Sequence, residues 1–250
     1  MRKKLKIVLL FLLVLILSAG GYVGNMFGVF SEGNYGEYSL NKTVQTDSPI
    51  NGKTVIFLGS SVTFGYGSIG VSFVEYLEKS DGIIPVKEAV SGTTLADIKS
   101  SSYVSRLKNI DKTIKADAFV CQLSTNDATK NITLGEISDG TEPESFDTTT
   151  IAGAVEYIIS YAKSTWNCPV VFYTQAKYDS ENYGDMVSLL LEIQEKWNIT
   201  VIDLWNNEKI NNITEEQRKL YLTDNIHPTK AGYRDWWLPE FQKALREVIK

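Results

Sequence analysis

From Thr54 onward the chain alternates short apolar runs with amphipathic stretches, and that alternation leaves few folds open. The runs are TVIFLG (54–59), IPVKEAV (84–90), AFVCQLS (118–124), PVVFYTQ (169–175) and TVIDLW (200–205). Their length and β-branched content suit buried parallel strands, which read as unbroken apolar segments because both faces are covered. Between them, Ile151, Ala154, Val155, Ile158, Ile159 and Ala162 recur at the spacing of one helix face, and Met186, Leu189, Leu190, Ile193 and Trp197 repeat the pattern. A last helix is expected over 228–250, opening on Pro228 and carrying Trp237, Phe241, Leu245 and Val248 on one side. Strand–helix alternation implies right-handed crossovers and a parallel sheet of about five strands between two helical layers, a three-layer α/β/α sandwich. Ligands of such sheets bind beyond the carboxyl ends of the strands, so chemistry is to be sought just after each run.

The chain divides into three parts. Arg2, Lys3, Lys4 and Lys6 precede a run without charge from Ile7 to Phe30, whose core Ile7–Gly20 is unbroken enough for a signal peptide. The full 24 residues (7–30) are also long enough to span a bilayer at about 1.5 Å per residue. Residues 1–30 therefore read as a signal peptide or an N-terminal membrane anchor. The basic flank places the rest of the chain on the extracytoplasmic side. Residues 31–52 are polar and turn-rich and read as a linker. Residues 53–250 form the folded domain.

Composition removes several function classes. With 25 basic and 30 acidic residues and a net charge of −5, the chain has no basic footprint for nucleic acid. Its two cysteines, Cys121 and Cys168, are too few for a four-ligand zinc site, and both lie in or beside apolar strands as small packing residues. No metal or cofactor is called for. The single histidine, His227, must supply any imidazole a mechanism needs.

Two phosphate-binding patterns fail on position. Gly65-Tyr66-Gly67-Ser68-Ile69-Gly70 fits G-x-G-x-x-G, with Glu88 at the distance of a ribose-binding acid, but it begins six residues after the strand end Gly59. Gly52-Lys53-Thr54 precedes its strand instead of following it.

Four strand-end or helix-start clusters remain: Gly59-Ser60-Ser61-Val62-Thr63, Val90-Ser91-Gly92-Thr93, Leu123-Ser124-Thr125-Asn126-Asp127 and Asp224-Asn225-Ile226-His227-Pro228. Their order and spacing resemble the SGNH (GDSL-type) hydrolases from about Thr54 to the C-terminus. The resemblance implies a flavodoxin-like strand order and a serine esterase that acts through an acyl-enzyme. It makes Ser61 the nucleophile, Asp224 and His227 the other triad members, and Ser61, Gly92 and Asn126 the oxyanion donors. The chemistry agrees. A serine hydroxyl needs a neighbouring base, and an aspartate three residues before the only histidine can fix its tautomer. Preorganised donors are worth roughly 3–4 kcal/mol each to the oxyanion.

Two positions depart from the family pattern: Ser60 stands where Asp is usual and Ser124 where Gly is usual. Adjacent serines leave the register to be decided, and alignment on Gly59 and Thr63 favours Ser61. Ser124 is expected to narrow the acyl pocket. An exported domain with polar strand ends points to acetylated glycans, with small acyl esters as model substrates. Tyr66, Tyr178, Tyr183 and Trp205 are candidates for stacking on sugar rings. A lipase or lysophospholipase, a non-catalytic carbohydrate-binding relative, and nucleotide binding through Gly65–Gly70 are the alternatives.

Overall fold

Val55 and Phe57 project from one face of the first strand, Ile56 and Leu58 from the other, and all four are fully buried. Burial on both faces is why this segment carries no polar alternation. The computed structural model describes residues 20, 21, 23–25 and 27–249. Most of the N-terminal apolar run lies outside the described residues, and among those described no helix is long and apolar enough to cross a membrane.

In chain order the elements are β1 (Thr54–Gly59), α1 (Ser61–Phe64), α2 (Phe73–Asp81), β2 (Ile84–Ala89), α3 (Tyr103–Leu107), β3 (Ala118–Gln122) and α4 (Thr125–Thr129). They continue with α5 (Ile151–Trp166), β4 (Val170–Tyr173), α6 (Glu181–Trp197), β5 (Thr200–Ile202), α7 (Glu208–Asn211), α8 (Glu215–Tyr221) and α9 (Leu238–Val248). The five strands are parallel in the order β2-β1-β3-β4-β5, the flavodoxin-like order. Helices α5 and α6 cover the face that carries Ile56, Leu58 and Phe119, and α2 and α9 cover the face of Phe57, Val120 and Tyr173. Phe73 of α2 stacks on Phe241 of α9 at 3.9 Å between ring centres, closing the second layer.

The strand order reverses between β1 and β3, so their carboxyl ends diverge and open a crevice there. Gly59 pairs with Ala89 of β2, and Leu58 pairs with Cys121 of β3. The serine block and the Asn126 block leave the sheet at this crevice.

Two expectations are corrected. Residues 31–52 are not a free linker. Ile50 is fully buried in the core, Asn34 is buried, and Ser48 donates to the buried Asp81 at 2.7 Å. The polar composition of this stretch serves to satisfy buried groups of the domain it crosses. The final helix starts two residues after Pro228, at Lys230, because Leu222 and Pro228 form an isolated antiparallel bridge that holds His227 in a short loop. The Thr229 hydroxyl accepts from Gly232 N, a π-helical turn follows over Gly232–Trp237, and the helix continues as α9 from Leu238.

Candidate active site

The turn after β1 is shaped by close backbone approach. A Cβ on Gly59 would stand 1.7 Å from Thr63 Oγ1, so no larger residue fits at the strand end. Gln122, at the end of β3, fastens the turn: its Oε1 accepts from Ser60 N and Thr63 Oγ1, both at 2.9 Å. The chain then enters α1 directly at Ser61.

The two serines face different ways. Ser60 is fully buried, and its Oγ receives a 3.3 Å hydrogen bond from Asn126 Nδ2. Ser61 reaches the cavity, where its Oγ lies 2.8 Å from His227 Nε2. Across the ring, His227 Nδ1 is 2.7 Å from Asp224 Oδ2. The other oxygen of Asp224 accepts from the backbone N–H groups of Ile226 and His227 at 2.7 and 2.8 Å. Burial pushes the Asp224 carboxyl up, but hydrogen bonds and charge from His227, with the two N–H groups, outweigh it and hold it below the usual carboxylate range. The arrangement can draw the Ser61 proton onto Nε2 while Asp224 keeps Nδ1 protonated.

The predicted oxyanion donors line the same cavity of about 600 Å³. Gly92 has φ +78°, a conformation that suits glycine, and its carbonyl is held by Lys130 Nζ at 3.0 Å. Asn126 Nδ2 donates to Thr93 O at 3.0 Å besides its longer contact to Ser60. Asn25, Tyr66, Ser91 and Thr223 complete the lining.

Sequence reasoning missed the groups that hold these loops. Arg106 of α3 is buried and donates to Gly59 O at 2.8 Å, Thr93 Oγ1 at 3.1 Å and Glu88 Oε1 at 3.0 Å. One guanidinium therefore ties the Ser60–Ser61 turn to the Gly92 turn. Asp127 is buried and accepts from Leu95 N and Ala96 N at 2.7 and 3.0 Å, joining α4 to the segment after Gly92. Nothing in a lone arginine of a short helix marks it as a bridge between loops.

The sequence profile described as the GDSL-like Lipase/Acylhydrolase family matches residues 57–234. The chain belongs to this family. A solved structure 26% identical to this GDSL-like hydrolase superposes with a TM-score of 0.67, covering 80% of this chain and 99% of its own. A Lactobacillus plantarum protein, 19% identical, gives 0.66 over 79% of this chain and 98% of its own. A member of the lipolytic protein G-D-S-L family from Veillonella parvula, 18% identical, gives 0.54 over 77% and 96%. The last two likenesses show a shared fold. No curated protein matches the chain.

Several expectations for this GDSL-like hydrolase are corrected by the structure. Ser124 does not line the cavity: it is fully buried and caps α4 by accepting from Asn126 N at 3.2 Å. Tyr178, Tyr183 and Trp205 pack on one another with ring centres 5.3–5.6 Å apart, and none lines the cavity. Of the four candidate aromatics, Tyr66 alone does. The Gly65–Gly70 stretch follows α1, not a strand, with Gly65 and Gly70 at positive φ, and forms a turn. Lys53 of the other phosphate-loop pattern pairs with Asp117 at 3.0 Å. Burial pushes the Cys121 thiol well above its ordinary value, in keeping with a packing role.

Proposed function

We propose that this hydrolase cleaves carboxylic esters through an acyl-enzyme on Ser61. The observation that carries the reading is the unbroken relay of 2.7 and 2.8 Å contacts from Asp224 through the only imidazole to Ser61 Oγ. Ser61 Oγ attacks the acyl carbon while its proton passes to His227 Nε2. The negative charge that forms on the carbonyl oxygen meets the N–H groups of Ser61 and Gly92 and the Asn126 amide. Collapse expels the alcohol, which takes the proton from His227. Water then attacks the acyl-enzyme, with His227 again as base, and the carboxylic acid leaves. No metal or cofactor enters this sequence.

The substrate is an O-acetylated glycan met outside the cytoplasm. Asn25, Ser91, Asn126 and Thr223 place hydrogen-bonding groups on a cavity wall that is otherwise mainly apolar, and those groups support a hydroxylated alcohol. The basic flank and apolar run at the N-terminus support export, with the chain anchored or processed there. Asn25 lines the cavity, so processing compatible with this site occurs before it. Kinetics on acetyl, butyryl and octanoyl p-nitrophenyl esters, with release of acetate from acetylated xylan, test the substrate class. Turnover is expected to fall steeply with acyl length. Faster turnover of the octanoyl ester would replace this reading with a lipase, and cell fractionation that recovers the full chain from the cytoplasm would overturn the location.

A further inference from the structure

The N-terminal segment ahead of the sheet contributes to the cavity wall near His227. Asn25 reaches the cavity directly. The Phe27 ring lies 4.8 Å from that of Tyr66, and the Tyr66 ring lies 5.1 Å from the imidazole. The three rings make one row that ends on the candidate base.

This segment is fastened to both loops it touches. Asn34, buried, donates to Gly28 O at 2.7 Å and to Gly67 O at 2.8 Å, and accepts from Lys230 N at 2.8 Å. One amide side chain thus ties the segment to the loop of Tyr66 and to the backbone just beyond His227. Gly28 sits at φ +70°, and a Cβ there would stand 2.1 Å from Gly67 O and 2.9 Å from Thr223 Cγ2. Backbone contact this close excludes every residue with a side chain.

We propose that Asn25 and residues 27–34 form the alcohol-side wall of the active site, with Asn25 and the Phe27–Tyr66 ring pair flanking the leaving group. The inference rests on the reading of His227 as the group that protonates the departing alcohol. That oxygen must lie within hydrogen-bond reach of Nε2. Gly92 and Asn126, held by Lys130, Thr93 and Ser60, define the oxyanion side instead. A partly exposed aromatic face beside an amide and the Thr223 hydroxyl suits a sugar ring, whose C–H face packs on the ring while its hydroxyls take the polar groups.

The test holds the acyl group constant and varies the alcohol, using the full chain. In Phe27→Ala and Asn25→Ala, the ratio of kcat/KM for peracetylated xylobiose to that for ethyl acetate is expected to fall about tenfold, the scale of one lost pocket contact. Gly28→Ala, which pushes the segment off Gly67 without removing any group that lines the cavity, is expected to move the ratio the same way. The ratio of p-nitrophenyl acetate to butyrate, which reports the acyl side, is expected to stay within about twofold. An unchanged alcohol ratio in folded variants, or an acyl ratio that moves as far, overturns the wall assignment. A wild-type chain that cleaves none of these esters and resists a fluorophosphonate overturns the esterase reading itself, a separate result.

Discussion

Asp224 grips His227 at two points: Oδ2 meets the ring Nδ1 at 2.7 Å, and Oδ1 accepts the backbone N–H at 2.8 Å. One carboxylate therefore sets the tautomer of the base and the path of the loop that carries it. Leu222 and Pro228 close that loop from outside by pairing across it.

Replacing Asp224 by asparagine separates these two jobs. The amide oxygen can still accept from the backbone, so the fold is expected to survive. The ring loses its anionic partner, and kcat is expected to drop about three to four orders of magnitude. In the wild type, activity is expected to fall on acidification, because an imidazolium cannot take the Ser61 proton. The Asp224 carboxyl is held below the usual carboxylate range, so the anion beside the imidazole persists into the acid range. Steady-state kinetics across the acid range check both points, and activity that persists undiminished down to about pH 4, near the ordinary carboxylate value, would remove His227 from the mechanism.

Ser60→Ala is expected to keep most or all of the activity. Ser60 is buried, and its hydroxyl competes for the Asn126 amide at 3.3 Å, so its loss frees a donor for the oxyanion. A variant as inactive as Ser61→Ala would mean that Ser60 has a chemical role.

Arg106→Met tests the bridge between the Ser60–Ser61 turn and the Gly92 turn. The guanidinium donates to Gly59 O at 2.8 Å and to Thr93 Oγ1 at 3.1 Å. Without it, misplacement of the donors is expected to cost about tenfold to a hundredfold in kcat, with a smaller change in KM. Equal losses in every kinetic parameter together with an unfolded spectrum would show a purely structural residue.

The central strands were legible because burial on both faces keeps them mostly apolar, and β1 falls on TVIFLG without adjustment. That Ser61, Gly92, Asn126, Asp224 and His227 meet at one cavity was legible because the proposed chemistry restricts residue type as well as place. Their supports were not. Gln122 occupies an apolar strand, Arg106 a five-residue helix, and Asn25 and Asn34 lie in stretches whose composition reads as leader and linker. Each acts through tertiary contacts dozens of positions away, which no local pattern encodes. Ser124 misled for the same reason: its neighbour Asn126 faces the cavity, while its own hydroxyl turns back to cap α4.

Asp81 links the segment before the sheet to the last helix and is expected to contribute to the acid limb of stability. Its buried carboxylate accepts from Ser48 and Gln242 at 2.7 Å and from Arg246 at 2.6 Å. Burial pushes this carboxyl up, but bonds from Ser80, Ser48, Gln242 and Arg246 prevail and hold it below its ordinary value. A depressed folded-state value means the stabilisation is complete above the free carboxylate value of about 3.9 and is lost as pH falls through the folded one. Asp81→Asn is expected to cost about 3 kcal/mol near neutrality and to flatten the acid limb of a thermal-melt series. An unaltered pH dependence would assign that limb to other carboxylates.

The most direct measurement of the catalytic reading is mass-spectrometric mapping of a fluorophosphonate adduct on the full chain. The expected result is a single adduct on Ser61, absent from Ser61→Ala, retained in Ser60→Ala and formed far more slowly in Asp224→Asn. Adduct formation on Ser60, or a native protein that takes no label while hydrolysing esters, would contradict Ser61 as the nucleophile.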